Sequence, residues 1–170
     1  MEIKIKNLGV NKLPQIIKKG DWIDLRTSET ITLQAPQSGV LKRTKEGSFR
    51  NVSFDSKLIP LGIAMQLPKG YEAIVLPRSS TFKKYGIILA NSQGVIDNTY
   101  SGDNDEWMFN AIALKDTTIL ANTRIAQFRI QLSQKATIWQ KIKWIFSNKI
   151  KFKEVKQLNN TNRGGFGSTD

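Results

Sequence analysis

Lys57-Leu58-Ile59-Pro60-Leu61-Gly62-Ile63-Ala64-Met65 and Tyr71-Glu72-Ala73-Ile74-Val75-Leu76 flank the turn Leu67-Pro68-Lys69-Gly70, and this stretch decides the fold class. Both runs are short and apolar, and both end at residues that punctuate strands. The same texture returns at Glu29–Leu33, Gly86–Leu89 and Thr123–Leu132, with further turns at Ala35-Pro36 and Tyr100-Ser101-Gly102-Asp103. Many short strands with frequent turns predict an all-β sandwich or barrel.

Working outward, Gly39–Arg50 is a polar excursion, read as a loop or hairpin tip. Ala136–Val155 carries two periods. Ile138, Ile142, Ile145, Phe146 and Ile150 fit helical spacing, whereas Lys149–Val155 alternates. A short helix followed by a strand is expected there. Gln157–Asn162 reads as a polar linker, and Arg163–Asp170 is too rich in glycine to form an element alone. Such a terminus suits a segment that orders on binding. The expected organisation is one domain at 1–156, including a basic insertion at 136–155, followed by a linker and arm at 157–170.

Composition narrows the chemistry. With no cysteine, disulfides and thiolate chemistry are excluded, and with no histidine the commonest general base and zinc ligand are missing. Acid–base work must fall to a carboxylate, Lys or Tyr. Any metal should be a hard cation held by oxygen, Mg²⁺ first. The net charge of +12 favours an anionic partner, and much of it lies in Lys135–Lys156. No apolar run reaches the roughly 18 residues of a membrane span. The N-terminal residues alternate like a strand and lack a signal-type apolar core, so a cytoplasmic location is the expectation.

Four stretches can carry chemistry. Leu76-Pro77-Arg78-Ser79-Ser80-Thr81 places an arginine and small hydroxyls at the end of a strand, which suits phosphate and equally suits a turn before a helix. Asn91–Gly102 reads as a β-hairpin with Asp97-Asn98 near its turn. Its main chain could read the edge of a base, and Asp97 could take a proton from water, although Asp and Asn are ordinary turn residues. Arg124 and Gln127 interrupt an apolar strand and need partners unless the strand is an edge. Asp24 sits between Ile23 and Leu25, an expensive place for a carboxylate without a cation.

Together these stretches resemble, in order, the five motifs of the trimeric dUTP pyrophosphatase (dUTPase) family. The matching segments are Lys19–Leu25, Pro77–Gly86, Gly94–Gly102, Arg124–Gln127 and Arg163–Thr169. Pro-Arg-Ser-Ser, Gly-Val-Ile-Asp-x-x-Tyr-x-Gly and Arg-Gly-Gly-Phe-Gly-Ser-Thr are the specific ones. The resemblance implies a distorted β-barrel or jelly-roll subunit and a homotrimer whose three sites are each built from all three chains. It implies hydrolysis of dUTP to dUMP and pyrophosphate, which supplies dUMP for dTMP synthesis and keeps uracil out of DNA. By the same resemblance Asp97 is the general base, Tyr100 packs under the deoxyribose, and Asn91, with Gly94 and Ile96, holds uracil. Arg78, Ser79, Ser80 and Gln127 contact phosphates, and Asp24 assists Mg²⁺ through water. Arg163 reaches the γ-phosphate, Phe166 stacks on uracil, and Gly167, Ser168 and Thr169 close over the nucleotide.

Two departures stand out: Trp22, where the first motif has a small residue, and the acidic run Asp103-Asn104-Asp105-Glu106 after the third. A dCTP deaminase would share the fold but needs a Glu-centred site for which no motif is present. A nucleic-acid-binding or regulatory protein is the rival from another class, resting on charge and on Trp139, Trp144, Phe146 and Phe152, whose spacing equally suits a core.

Overall fold

The structure is a computed structural model, and it describes residues 1–17, 20–146 and 149–165. The chain runs β1 (Glu2–Asn7), β2 (Ile23–Arg26), β3 (Ile31–Leu33), β4 (Gln37–Ser38), β5 (Lys42–Thr44), β6 (Gly47–Phe49), β7 (Val52–Ser53), β8 (Ser56–Pro60) and β9 (Ile63–Gln66). It continues through β10 (Tyr71–Pro77), α1 (Thr81–Tyr85), β11 (Ile87–Leu89), β12 (Gly94–Asp97), β13 (Met108–Ala113), β14 (Thr117–Ile119), β15 (Arg124–Leu132), α2 (Ile138–Phe146) and β16 (Lys151–Glu154).

The strands form sheets ordered β16-β1-β9, β12-β10-β15-β2 and β11-β13-β8, with pairs β14-β3, β4-β7 and β5-β6. The all-β expectation holds. Among the described residues, however, no sheet closes into a barrel. The reason is visible at Lys57–Met65, expected as one strand. Pro60 ends β8 and Gly62, at φ 65°, breaks the run, so β8 pairs with β13 while β9 pairs with β1. The chain changes sheets there instead of bending one sheet round. All the larger sheets bury one face in a common core, with Trp107, Phe109 and Phe128 fully enclosed. Trp107 meets Phe128 edge to face at 5.2 Å. Truncating Phe128 to Ala would cost about 3–5 kcal/mol.

Gly39–Arg50 is an exposed hairpin tip built on β4–β7. The helix-then-strand expectation for Ala136–Val155 is met by α2 and β16. Thr137 and Gln140 cap the start of α2 reciprocally: the Thr137 hydroxyl accepts the Gln140 N–H, and the Gln140 side chain accepts the Thr137 N–H. Gln140 and Trp144 face the body, Trp144 lying 5.5 Å from Tyr71. The remaining apolar positions do not join the core: Ile138, Trp139, Ile145 and Phe146 are at least 73% exposed. No described helix is long and apolar enough to cross a membrane.

Candidate active site

Strand alternation sets which side chains are available. In the β12-β10-β15-β2 sheet, Ala73, Val75, Ile96, Phe128 and Ile130 point into the core. Their neighbours Glu72, Leu76, Asp97, Gln127 and Asp24 therefore share the outer face. That face carries two separate groups, one at each end of β10.

At the C-terminal end of β10, Leu76, Gln127 and Asp24 lie on one rung across three strands. A register shift between Arg124 and Ala126 bulges β15 there, as bulges near sites often re-aim side chains. Arg78 Nε donates to Asp24 Oδ1 at 2.6 Å, and Arg124 Nη1 donates to Asp24 Oδ2 at 3.0 Å. The cation that Asp24 requires is thus supplied twice. Gln127 Nε2 donates to the Pro77 carbonyl at 3.3 Å. The Pro77–Thr81 turn is tied to the bulge: the Arg78 N–H and the Thr81 hydroxyl both donate to the Ile125 carbonyl. Ser79 is exposed and Ser80 half-buried, with no capping bond from the Ser80 hydroxyl. The cleft beside Asp24 and Arg124, bordered by Lys12 and Arg26, holds about 100 Å³. That is below the roughly 300 Å³ at which ligand pockets begin. Trp22 lies under the Arg129 guanidinium, 5.3 Å away, so it occupies the sheet surface and not the Asp24 cluster.

At the other end, β12 pairs with β10, Asp97 opposite Glu72 and Gly94 opposite Val75. A Cβ on Gly94 would stand 3.2 Å from the Val75 Cβ, so glycine permits that pairing. Asn91–Gly102, expected as a hairpin, is instead a turn, the edge strand β12 and a second turn, because β11 before it pairs with β13 in a different sheet. An edge strand still offers unpaired main-chain groups. Asn91 is exposed in the turn before β12, and the Ile96 side chain is buried, which leaves only its main chain for contact.

Asp97 Oδ1 accepts both the Thr99 N–H at 2.7 Å and the Thr99 hydroxyl at 2.5 Å, and Oδ2 accepts Arg163 Nη1 at 2.7 Å. Partial burial pushes the carboxyl up, but Thr99 and the Arg163 guanidinium together outweigh it and hold Asp97 below the ordinary carboxylate range. Tyr100 donates its hydroxyl to the Glu106 carbonyl at 2.7 Å. Burial, aided by Asp105 and Glu106, pushes its phenol up to about 12. Glu106 itself is pushed up by burial, partly offset by the Gly62 N–H that it accepts.

The acidic run missed as functional in the sequence anchors the C-terminal segment. Asp103 accepts the Leu158 and Asn159 N–H groups, and Leu158 is buried. Asp105, 1% exposed, accepts the N–H groups of Gly102, Arg163 and Gly164. Its signal was present in the sequence as the departure after the third motif. Arg163 is seated in this way, whereas Phe166, Gly167, Ser168 and Thr169 lie outside the described residues.

Comparison with known proteins supplies the family. A model of the dUTPase family matches residues 41–170. The chain is 44% identical, over 99% of its length and 98% of the other's, to the SPbeta prophage-derived deoxyuridine 5'-triphosphate nucleotidohydrolase YosS of Bacillus subtilis. Its fold matches the Staphylococcus bacteriophage 80alpha dUTPase at a TM-score of 0.58 and 18% identity, covering 80% of this chain and 93% of that one. A mutant dUTPase from phage phi11 of S. aureus, studied for the coordination of a structural Mg(II) ion, matches at 0.58 and 16% identity over 80% and 94%. Family match and near full-length identity agree with the order of the five segments, and the chain belongs to the dUTPase family.

Proposed function

We propose that the chain hydrolyses dUTP to dUMP and pyrophosphate, with Asp97 activating the water that attacks the α-phosphorus. The observation that carries this reading is the Asp97 carboxylate. It is ionised at neutral pH, oriented by Thr99, and placed at the end of an edge strand in a chain without histidine. Phosphoryl transfer needs chiefly positioning and charge neutralisation, and the arginines at both ends of β10 fit that need. In this reading Arg78, Ser79, Ser80 and Gln127 hold phosphates, while Asn91 and the main chain of Gly94 and Ile96 hold uracil. Tyr100 lies under the sugar. Arg163 leaves Asp97 for the terminal phosphate, and Phe166, Gly167, Ser168 and Thr169 complete the closure.

A homotrimer is part of the proposal, and β-sheet geometry supports it. Asp97 and Gln127 flank β10 at positions four residues apart. That places their backbones about 16 Å apart, from roughly 3.4 Å per residue and 4.8 Å per strand. A base must lie within about 3 Å of its proton, or one water further. A site shared between chains would bring the two groups closer together than one chain's sheet holds them.

Magnesium fits the donor set in one way. Among the described residues no three carboxylates gather, and Asp24 is a single carboxylate shared by two arginines. This suits an ion carried by the triphosphate, with Asp24 reaching it through water. When bound, it would neutralise phosphate charge. Pyrophosphate release from dUTP, compared with dTTP, dCTP and UTP, tests the function. Ammonia release from dCTP in its place would make the chain a deaminase.

A further inference from the structure

We propose that α2 docks on the surface of an anionic lipid bilayer, through its outward apolar stripe and the lysines that border it. None of the residues assigned to dUTP takes part. At about 3.6 residues per turn, Ile145, Ile138, Ile142, Phe146 and Trp139 fall on one continuous stripe about 120° wide. Gln140 and Trp144 lie on the opposite side and hold the helix to the body, through the Lys69 carbonyl at 2.7 Å and the Tyr71 ring at 5.5 Å. Glycine at position 70 leaves room for this seat: a Cβ there would lie 2.5 Å from the Gln140 Cδ. The stripe therefore faces outward, and all five of its residues are exposed. A stripe of this width on a surface helix ordinarily faces a core. Single exposed apolar residues need no explanation, but a contiguous patch marks an interaction site.

Charge selects the occupant. Lys141 borders the stripe on one edge and Lys143 on the other. Lys135, Lys149, Lys151 and Lys153 extend the basic field beyond the helix, and all six lysines are exposed. No acid occurs in the sequence between Asp116 and Glu154. Among the described residues, only Lys153 of the six has a carboxylate within ion-pair reach, Glu2 at 3.9 Å. An apolar stripe bordered by lysines is the build of a helix that lies in the plane of a bilayer surface. The stripe enters the boundary between headgroups and acyl chains, and the lysine stems carry their ammonium groups back to the lipid phosphates. A second copy of the chain is a poorer fit, because stacking two such stripes would bring their lysine borders together. Nucleic acid is poorer as well, because three of the five stripe residues are isoleucines, which offer bases no aromatic face.

Co-sedimentation of the full chain with lipid vesicles tests this. At low salt the protein should sediment with vesicles of equimolar phosphatidylglycerol and phosphatidylcholine, and far less with phosphatidylcholine alone. Added salt should weaken the binding as it screens the lysines. Trp139→Ser/Phe146→Ser and Lys141→Glu/Lys143→Glu should each lower the partition coefficient about tenfold or more. Neither should change the melting temperature, because all four side chains are exposed. Wild-type protein that stays in the supernatant with anionic vesicles would overturn the proposal. So would a loss confined to the lysine variant, since the stripe would then play no part. Two further measurements name the rival occupants. A fall in particle mass for Trp139→Ser/Phe146→Ser by light scattering would assign the stripe to a subunit contact. Binding of a labelled single-stranded oligonucleotide that this variant loses, without vesicle binding by the wild type, would assign it to nucleic acid. Either result overturns the docking of α2 on a membrane.

Discussion

The two ends of β10 hold their carboxylates by different means. Asp24 is fixed by two arginines, Arg78 from the turn after β10 at 2.6 Å and Arg124 from the adjacent β15 at 3.0 Å. Asp97 is fixed by its own turn, through Thr99, and by Arg163 from a segment 66 residues away in sequence. The first cluster is assembled as soon as the sheet forms. The second is complete only when the arm is seated, and that depends on backbone N–H groups reaching Asp105. One end is a carboxylate clamped within the sheet, and the other is a carboxylate paired to a cation from a distant segment. The proposed reaction would use both, the first as a rigid frame for phosphates and the second as an element that adds charge when substrate is present.

Four measurements break or sharpen this contrast. Asp97→Asn should lower kcat by about 10²-fold or more while leaving the melting temperature unchanged, since Asn still accepts the Thr99 bonds but takes no proton. Near-normal turnover would remove Asp97 as the base. At the clamp, Arg78→Ala removes a charged hydrogen bond worth about 1.5–3 kcal/mol, so kcat/KM should fall about 10- to 100-fold. A change confined to the melting temperature would make Arg78 a structural ion-pair partner only.

Asp105→Ala should unseat the arm, cutting kcat by about tenfold through loss of one or two such bonds. Trypsin cleavage after Arg163 should accelerate at the same time. Unchanged cleavage would mean that Asp105 does not anchor the arm. The smallest effect is in the pH profile. Asp97 acts ionised and is held below its ordinary 3.8, so the acid limb of kcat/KM should lie below pH 3.8. Arg163→Ala removes a cation that favours the ionised form, so the limb should move up. A limb unmoved by that substitution would show that the Arg163–Asp97 pair does not form in solution.

Much of this was legible in the residues. Short apolar runs rich in β-branched residues and bounded by Pro and Gly point to a strand-dominated chain, because they are too short for typical helices and carry strand-type punctuation. The helical spacing of Ile138, Ile142, Ile145 and Phe146 marks α2, a local period that needs no distant partner to be read. The absence of histidine confines acid–base chemistry to residues such as Asp97. What stayed hidden required neighbours distant in sequence. Pro60 and Gly62 did not announce that β8 and β9 belong to different sheets, since pairing partners lie some 50 residues away. The α2 spacing looked equally suited to a core, yet its apolar stripe faces outward because Gln140 and Trp144 hold the other side against Lys69 and Tyr71. Asp105 looked like an acidic loop residue until the arm brought two N–H groups to it. Periodicity and motif spacing are properties of the local chain and survive without a fold. Strand partners, the outward face of α2 and the charge that meets Asp97 are settled by contacts between distant segments, which exist only once the chain has folded.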